Sequence, residues 1–274
     1  MSVRSVLTHA PHPRFAGRSR ANAEPTRHEW IRELGLVLVG LLVYFGVRAA
    51  TSDEAGPAQA HARSLVHLEQ TLGIARESDV QGLIIDHHAL VTFANWVYIW
   101  GHWPLIAVSA AWLFRRRPDA YRLMRTAIFA SGAIGMIIFL AYPVAPPRLT
   151  GAGLTDTVTS YSHAYRALQP PSLMDRYAAL PSLHFGWDLL VGLTLARFHP
   201  KMVVRVLGAL MPVAMGLAVV MTANHYVIDV IVGGLVALAG LAIATLLIHA
   251  RERRAQLAPA DDLADGAAWS THPC

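Results

Sequence analysis

Apolar residues fall into six long runs separated by short polar stretches: about Ile31 to Ala50, Ala89 to Phe114, Leu123 to Val144, Leu180 to Ala196, Val203 to Met221 and Tyr226 to His249. Each is close to the 17–25 residues that a helix needs to cross the hydrocarbon core. The pattern predicts an all-α fold, a six-transmembrane-helix bundle over residues 30–250. The segment from Ala55 to His88 is too polar to cross, but Leu65, Leu68 and Leu72 recur at helical spacing and Gly73 can end that helix. It predicts one or two amphipathic helices lying on the outer membrane surface, between the first two spans. Residues 1–29 and 251–274 are polar, without apolar periodicity, and are read as disordered tails. The first run follows a basic leader, and Arg48-Ala49-Ala50 is a poor cleavage sequence, so the run reads as an uncleaved anchor.

Composition agrees with the pattern. Apolar residues make up 54% and charged residues 15% of the 274, against about 25% charged in soluble domains, and mean hydropathy is +0.38. The one cysteine, Cys274, is the last residue, which excludes an internal disulfide framework, a Cys-rich zinc site and a buried Cys nucleophile. No Gly-rich phosphate loop is present, so nucleotide-driven chemistry has no support.

The net charge of +5 suggests nucleic acid only until the arginines are placed, because they flank the apolar runs. With the N-terminus inside, all but Arg48, Arg63, Arg76, Arg148, Arg166 and Arg176 of the 23 Lys and Arg lie in cytoplasmic segments. This bias predicts cytoplasmic termini in a cytoplasmic membrane, with the loops after the first, third and fifth runs facing outward.

Three polar stretches fall on that outer side. Tyr142-Pro143-Val144-Ala145-Pro146-Pro147-Arg148 reads as a helix stop with a snorkelling arginine, or as a phosphate clamp. In Leu180-Pro181-Ser182-Leu183-His184, the proline opens a helix whose free N–H groups lie beside Ser182 and His184. In Asn224-His225-Tyr226-Val227-Ile228-Asp229, His225 and Asp229 share one helical face. A carboxylate so placed can fix the imidazole tautomer and leave the other nitrogen as nucleophile or base. It can equally belong to a metal half-site or a structural ion pair. An Asp within a membrane helix costs about 2.5–3.5 kcal/mol near the centre, which favours a functional reading.

Together, Pro-Pro-Arg at 146–148, Pro-Ser-Leu-His at 181–184 and His-Tyr-x-x-Asp at 225–229 resemble the type 2 phosphatidic acid phosphatase superfamily. Within it they resemble the inositol phosphorylceramide synthase branch. The resemblance implies an active site at the extracytoplasmic end of the bundle. There Arg148 and Ser182 would bind a substrate phosphate, and His184 would protonate the leaving oxygen. His225, oriented by Asp229, would form a phosphohistidine.

Two cations of the broad superfamily pattern are missing, because Ala141 and Val219 stand at their positions. Asn224, read as a further phosphate-binding residue, and Thr222, Arg166 and Arg176 are candidates to fill part of the gap. Asp188, one turn after His184, either raises its basicity or faces a polar cavity, and Asp156 reads as a turn or helix cap near the site.

The expected substrate is a membrane lipid phosphate, with a lipid or inositol-containing co-substrate if the reaction is headgroup transfer, and with water if it is hydrolysis. No cofactor, metal or nucleic-acid partner is expected, since His87, His88 and His102 complete no recognised ligand spacing. The rival readings are a vanadate-dependent haloperoxidase, whose site is similar, and a lipid-binding or transport protein without chemistry.

Overall fold

The computed structural model describes residues 26–50, 55–151, 153–161 and 177–257, and among them the secondary structure is helical, with no strand. Helix α1 (Arg27–Ala50) opens on a capping box in which Thr26 N–H donates to Glu29 and Glu29 N–H donates to Thr26 Oγ1. The outer segment forms α2 (Ala55–Leu72) and α3 (Glu77–Gly82). Next come α4 (His88–Trp100), α5 (Trp103–Arg116) and α6 (Pro118–Ala141). A 3₁₀ turn (Pro147–Leu149) and the short α7 (Thr157–Tyr161) precede α8 (Leu183–Phe198), α9 (Met202–Met221) and α10 (Val227–Leu257).

Three of these, α6, α9 and α10, are each long and apolar enough to cross a membrane, and α4 with α5, a pair bent by 45°, makes a fourth if the two cross as one. The run expected at 89–114 is thus two helices meeting at a bend rather than one straight helix. Pro104 at the start of α5 lacks the N–H that would continue the ladder, and the chain turns at Gly101 and His102. Helix α8 has only 16 residues and is the central element, packed against α5, α6, α9 and α10. The expected tails are also corrected at their inner edges: Arg27 to Glu29 and Arg251 to Leu257 are helical.

Helix α2 divides its leucine stripe between two faces. Its inward face is Ala58, Ala62, Leu65 and Glu69, whereas Leu68 and Leu72 look outward. Small side chains at 58 and 62 let the helix sit directly on the loop after α6, where Ala145 N–H donates to Ala58 O at 3.1 Å and His61 Nδ1 donates to Pro143 O at 2.8 Å. The segment is therefore a cover over one end of the bundle. That end gathers the C-terminus of α6, the N-terminus of α8, the C-terminus of α9 and the N-terminus of α10. Chain alternation sends Arg115, Arg116, Arg197, Lys201 and Arg251 to the other end.

Close approach of α8 and α10 depends on two glycines. A Cβ on Gly233 would lie 2.3 Å from Ser182 O, and one on Gly186 would lie 2.7 Å from Gly233 O. Hydrogen there brings the start of α8 into backbone contact with the second turn of α10.

Candidate active site

His184 sits in the first turn of α8, and His225 sits two residues before α10. Their rings are 6.1 Å apart, and both line a cavity of about 40 Å³ together with Arg148, Asn224, Tyr44 and Tyr98. Three sequence-distant stretches thus meet at one point.

His225 is only 6% exposed. Its Nδ1 lies 2.7 Å from Ala179 O, and since a carbonyl only accepts, Nδ1 carries a proton, so that in the neutral ring Nε2 is the nitrogen with the lone pair. Asp229 Oδ2 is further away, at 3.4 Å, and accepts the Tyr226 N–H at 2.8 Å. Asp229 is therefore both helix cap and partner of His225, while the backbone carbonyl makes the shorter contact.

Chain reversal before His225 is tight. Ala223 takes φ 55°, a left-handed conformation usually given to glycine, and lets Asn224 and His225 both donate to Val219 O. The same turn presents Ala223 O to the Arg148 N–H at 3.1 Å.

Arg148 projects into the cavity with its guanidinium on Asn224 Oδ1 and its Nε 3.4 Å from Asp156 Oδ2. Asp156 also caps α7, accepting from Thr159 N–H at 3.0 Å, so capping and contact with the arginine coexist. Thr222 Oγ1 receives the Asn224 amide at 2.9 Å, which places Thr222 behind Asn224. Arg166 and Arg176 lie outside the described residues.

Two expected positions differ. Ser182 is fully buried and does not line the cavity: its Oγ accepts the Phe185 N–H as the cap of α8, and its own N–H goes to Asp229 O. Asp188 does not reach His184. Its Oδ1 is 2.9 Å from Nδ1 of His102, and the His102 ring packs 4.4 Å from that of His184.

Sequence reasoning missed four residues here: Tyr98, His102, Glu69 and Glu77. Tyr98 stacks on His184 at 4.7 Å. Glu69 and Glu77, from the cover, accept the first N–H groups of α10: Ile228 to Glu69 at 2.7 Å and Val227 to Glu77 at 2.9 Å. Three acidic side chains, counting Asp229, so accept the otherwise unpaired N–H groups at one helix start. Burial pushes the Glu69 carboxyl up to about 8, with the neighbouring Glu77 adding to it against the Ile228 hydrogen bond. An acid in register with Ala58, Ala62 and Leu65 was the available signal.

The arrangement offers an unprotonated imidazole nitrogen, a second imidazole across the cavity and a guanidinium at its edge. That set suits in-line transfer of a phosphoryl group, which requires a nucleophile, a proton donor opposite it and positive charge on the equatorial oxygens.

Comparison with known proteins agrees. Residues 63–243 match the family described as the PAP2 superfamily. No curated protein matches the sequence. Among solved structures, the crystal structure of Aquifex aeolicus LpxE is similar at 14% identity and a TM-score of 0.49, over 62% of this chain and 92% of that one. The family match spans more than half of the chain, motif loops included, and the chain belongs to the PAP2 superfamily of phosphatases and phosphotransferases.

Proposed function

We propose that this protein is a six-span membrane enzyme that cleaves a lipid phosphate ester at the outer face of the cytoplasmic membrane, through a phosphohistidine on His225. The observation that carries this reading is the His225 Nδ1 contact with Ala179 O, which leaves Nε2 as a nucleophile beside His184 and Arg148. The Nε2 lone pair attacks phosphorus, the ester P–O bond breaks, and the departing oxygen takes its electron pair and the proton of His184. A hydroxyl oxygen then attacks the phosphohistidine, His184 takes its proton, and the P–N bond breaks with its pair returning to His225. Arg148, held by Asn224 and Asp156, binds the nonbridging oxygens.

A lipid substrate is supported by a second cavity of about 480 Å³ between α1, α5, α6 and α8. It shares Tyr44 with the site and is lined from Met136 and Trp187 down to Tyr121 and Arg125. Along α6 that is about 22 Å at 1.5 Å per residue, most of the thickness of the hydrocarbon core. We place the substrate tail there.

The acceptor is water in a phosphatase and a lipid or inositol hydroxyl in a transferase; both use the same intermediate. The test is turnover of lipid phosphomonoesters and phosphodiesters by purified protein, with and without polyol and lipid acceptors, beside His225→Ala. Free phosphate from a monoester defines hydrolysis, and a new phosphodiester formed only with acceptor defines headgroup transfer. Turnover by His225→Ala at the wild-type rate overturns the phosphohistidine.

A further inference from the structure

Asp188 and His102 form a buried pair that the reaction above does not use. Asp188 is 0% and His102 2% exposed, and their contact is 2.9 Å. Burying a carboxylate at such a depth is costly unless something nearby exploits it. The chain goes to some length to make the pair. His102 stands at the break between α4 and α5, and the 45° bend turns it out of the helical path and towards α8. Trp187 stacks on one side of it, with rings 5.9 Å apart and 12° from parallel, and Trp103 meets it edge-on at 5.0 Å. His184 completes the cluster, 4.4 Å from His102 and 4.7 Å from Tyr98.

The sequence places Asp188 one turn from His184 on the same helix, yet the carboxylate engages the imidazole between them. This repeats the arrangement of His225 and Asp229 on the other side of the cavity, where a carboxylate also backs an imidazole. The repeat differs in one respect: His102 does not line the cavity, and its face is covered by the His184 ring.

We propose that His102, oriented by Asp188, is a positioning residue for the proton donor His184. The Asp188 carboxylate accepts the Nδ1–H of His102 and locks that ring. The locked ring and Tyr98 hold the His184 imidazole between them, with its edge towards the cavity. The negative charge of the Asp188–His102 pair also faces the positive charge that His184 carries before it gives up its proton. Other groups facing His184 are Tyr98 from α4, Tyr44 from α1, and Arg148, Asn224 and His225 from the motif loops, with Asp229 behind His225.

The proposal rests on His184 as the acid, so the experiment separates the two. kcat/KM, which reports the steps up to departure of the leaving group and not the later attack on the phosphohistidine in which His184 takes a proton, is measured for Asp188→Asn, His102→Gln and His184→Ala on an alkyl phosphate, whose leaving alkoxide needs a proton, and on nitrophenyl phosphate, whose leaving phenolate does not. General acid catalysis is worth about 10²–10⁴-fold. His184→Ala is expected to lose at least about 10²-fold on the alkyl ester and far less on the nitrophenyl ester. Asp188→Asn and His102→Gln are expected to lose roughly 10-fold or more on the alkyl ester and to stay within about 3-fold on the nitrophenyl ester, with an altered alkaline limb in the alkyl pH profile.

Equal losses on both esters in the two pair variants mean a structural role and overturn the proposal. Equal losses in His184→Ala overturn the acid assignment itself. Should Asp188→Asn fail to insert, the double variant His102→Gln/His184→Ala decides. No further loss on the alkyl ester relative to His184→Ala is expected, and a fully additive loss overturns the proposal.

Discussion

His225 donates its Nδ1 proton to the carbonyl of Ala179 at 2.7 Å, a contact between the chain entering α8 and the chain entering α10. In catalytic triads a carboxylate fixes the tautomer, and its replacement by an amide costs about 10⁴ in kcat. Here a backbone carbonyl makes the shorter contact and cannot be removed by side-chain substitution. Asp229→Asn is therefore expected to lower kcat by roughly 10–100-fold, well short of that triad value, whereas His225→Ala abolishes turnover. A loss in Asp229→Asn as complete as in His225→Ala would make the carboxylate, not the carbonyl, the element that sets the tautomer.

Glu69 carries a pH dependence of stability. Its carboxyl sits at about 8 in the folded protein against 4.5 ordinarily. Between those values the folded state binds more proton than the unfolded state, so stability contributed by the protonated, buried form is present at low pH and is lost as pH rises towards 8. The thermal midpoint in detergent is expected to fall across that window. Glu69→Gln, which retains an acceptor for the Ile228 N–H, is expected to flatten the slope; a slope identical to wild type assigns the pH response to other groups.

Gly233 tests the backbone contact that assembles the site. A methyl group there would meet Ser182 O at 2.3 Å, so α8 and α10 must separate by the order of an ångström. Overpacking of this kind costs about 1–3 kcal/mol, and misplacement by about 1 Å can cost 10²-fold in rate. Gly233→Ala is expected to insert and to lose about 10²-fold in kcat. Unchanged activity would show that the helix ends adjust independently of the two histidines.

Tail recognition has its own readout. Ala107 lines the long cavity and is exposed, so Ala107→Phe fills space without entering the bundle core. Excluding two methylenes forfeits about 1.6 kcal/mol at about 0.8 each, roughly tenfold in kcat/KM for a long-chain lipid phosphate. Nitrophenyl phosphate turnover should not change. Equal effects on both substrates would remove the tail from this cavity.

The orientation predicted from the arginine distribution can be read in intact cells. With Cys274 replaced, a membrane-impermeant thiol reagent is expected to label Ser160→Cys and to spare Arg116→Cys. The opposite pattern inverts the protein.

The sequence determined by itself the helical class, the approximate ends of the long spans and the three motif loops, because apolar runs of membrane length and residues four apart on a helix are local properties. His225 was legible for that reason, and Arg148, His184 and Asn224 from the short motifs around them; all four line one cavity. Tertiary structure alone decided what their neighbours are. Ser182 turns inward as a cap because its helix starts at Leu183, two residues after Pro181, and Asp188 reaches His102 rather than His184 because the bend between α4 and α5 brings a histidine 86 positions away between them. The inward face of α2 followed neither leucine spacing nor charge: Ala58 and Ala62 were small enough to lie on the motif loop, which carried Glu69 and Glu77 to the start of α10. Such pairings depend on which backbones approach each other, and that is set by the packing of whole helices rather than by any local pattern.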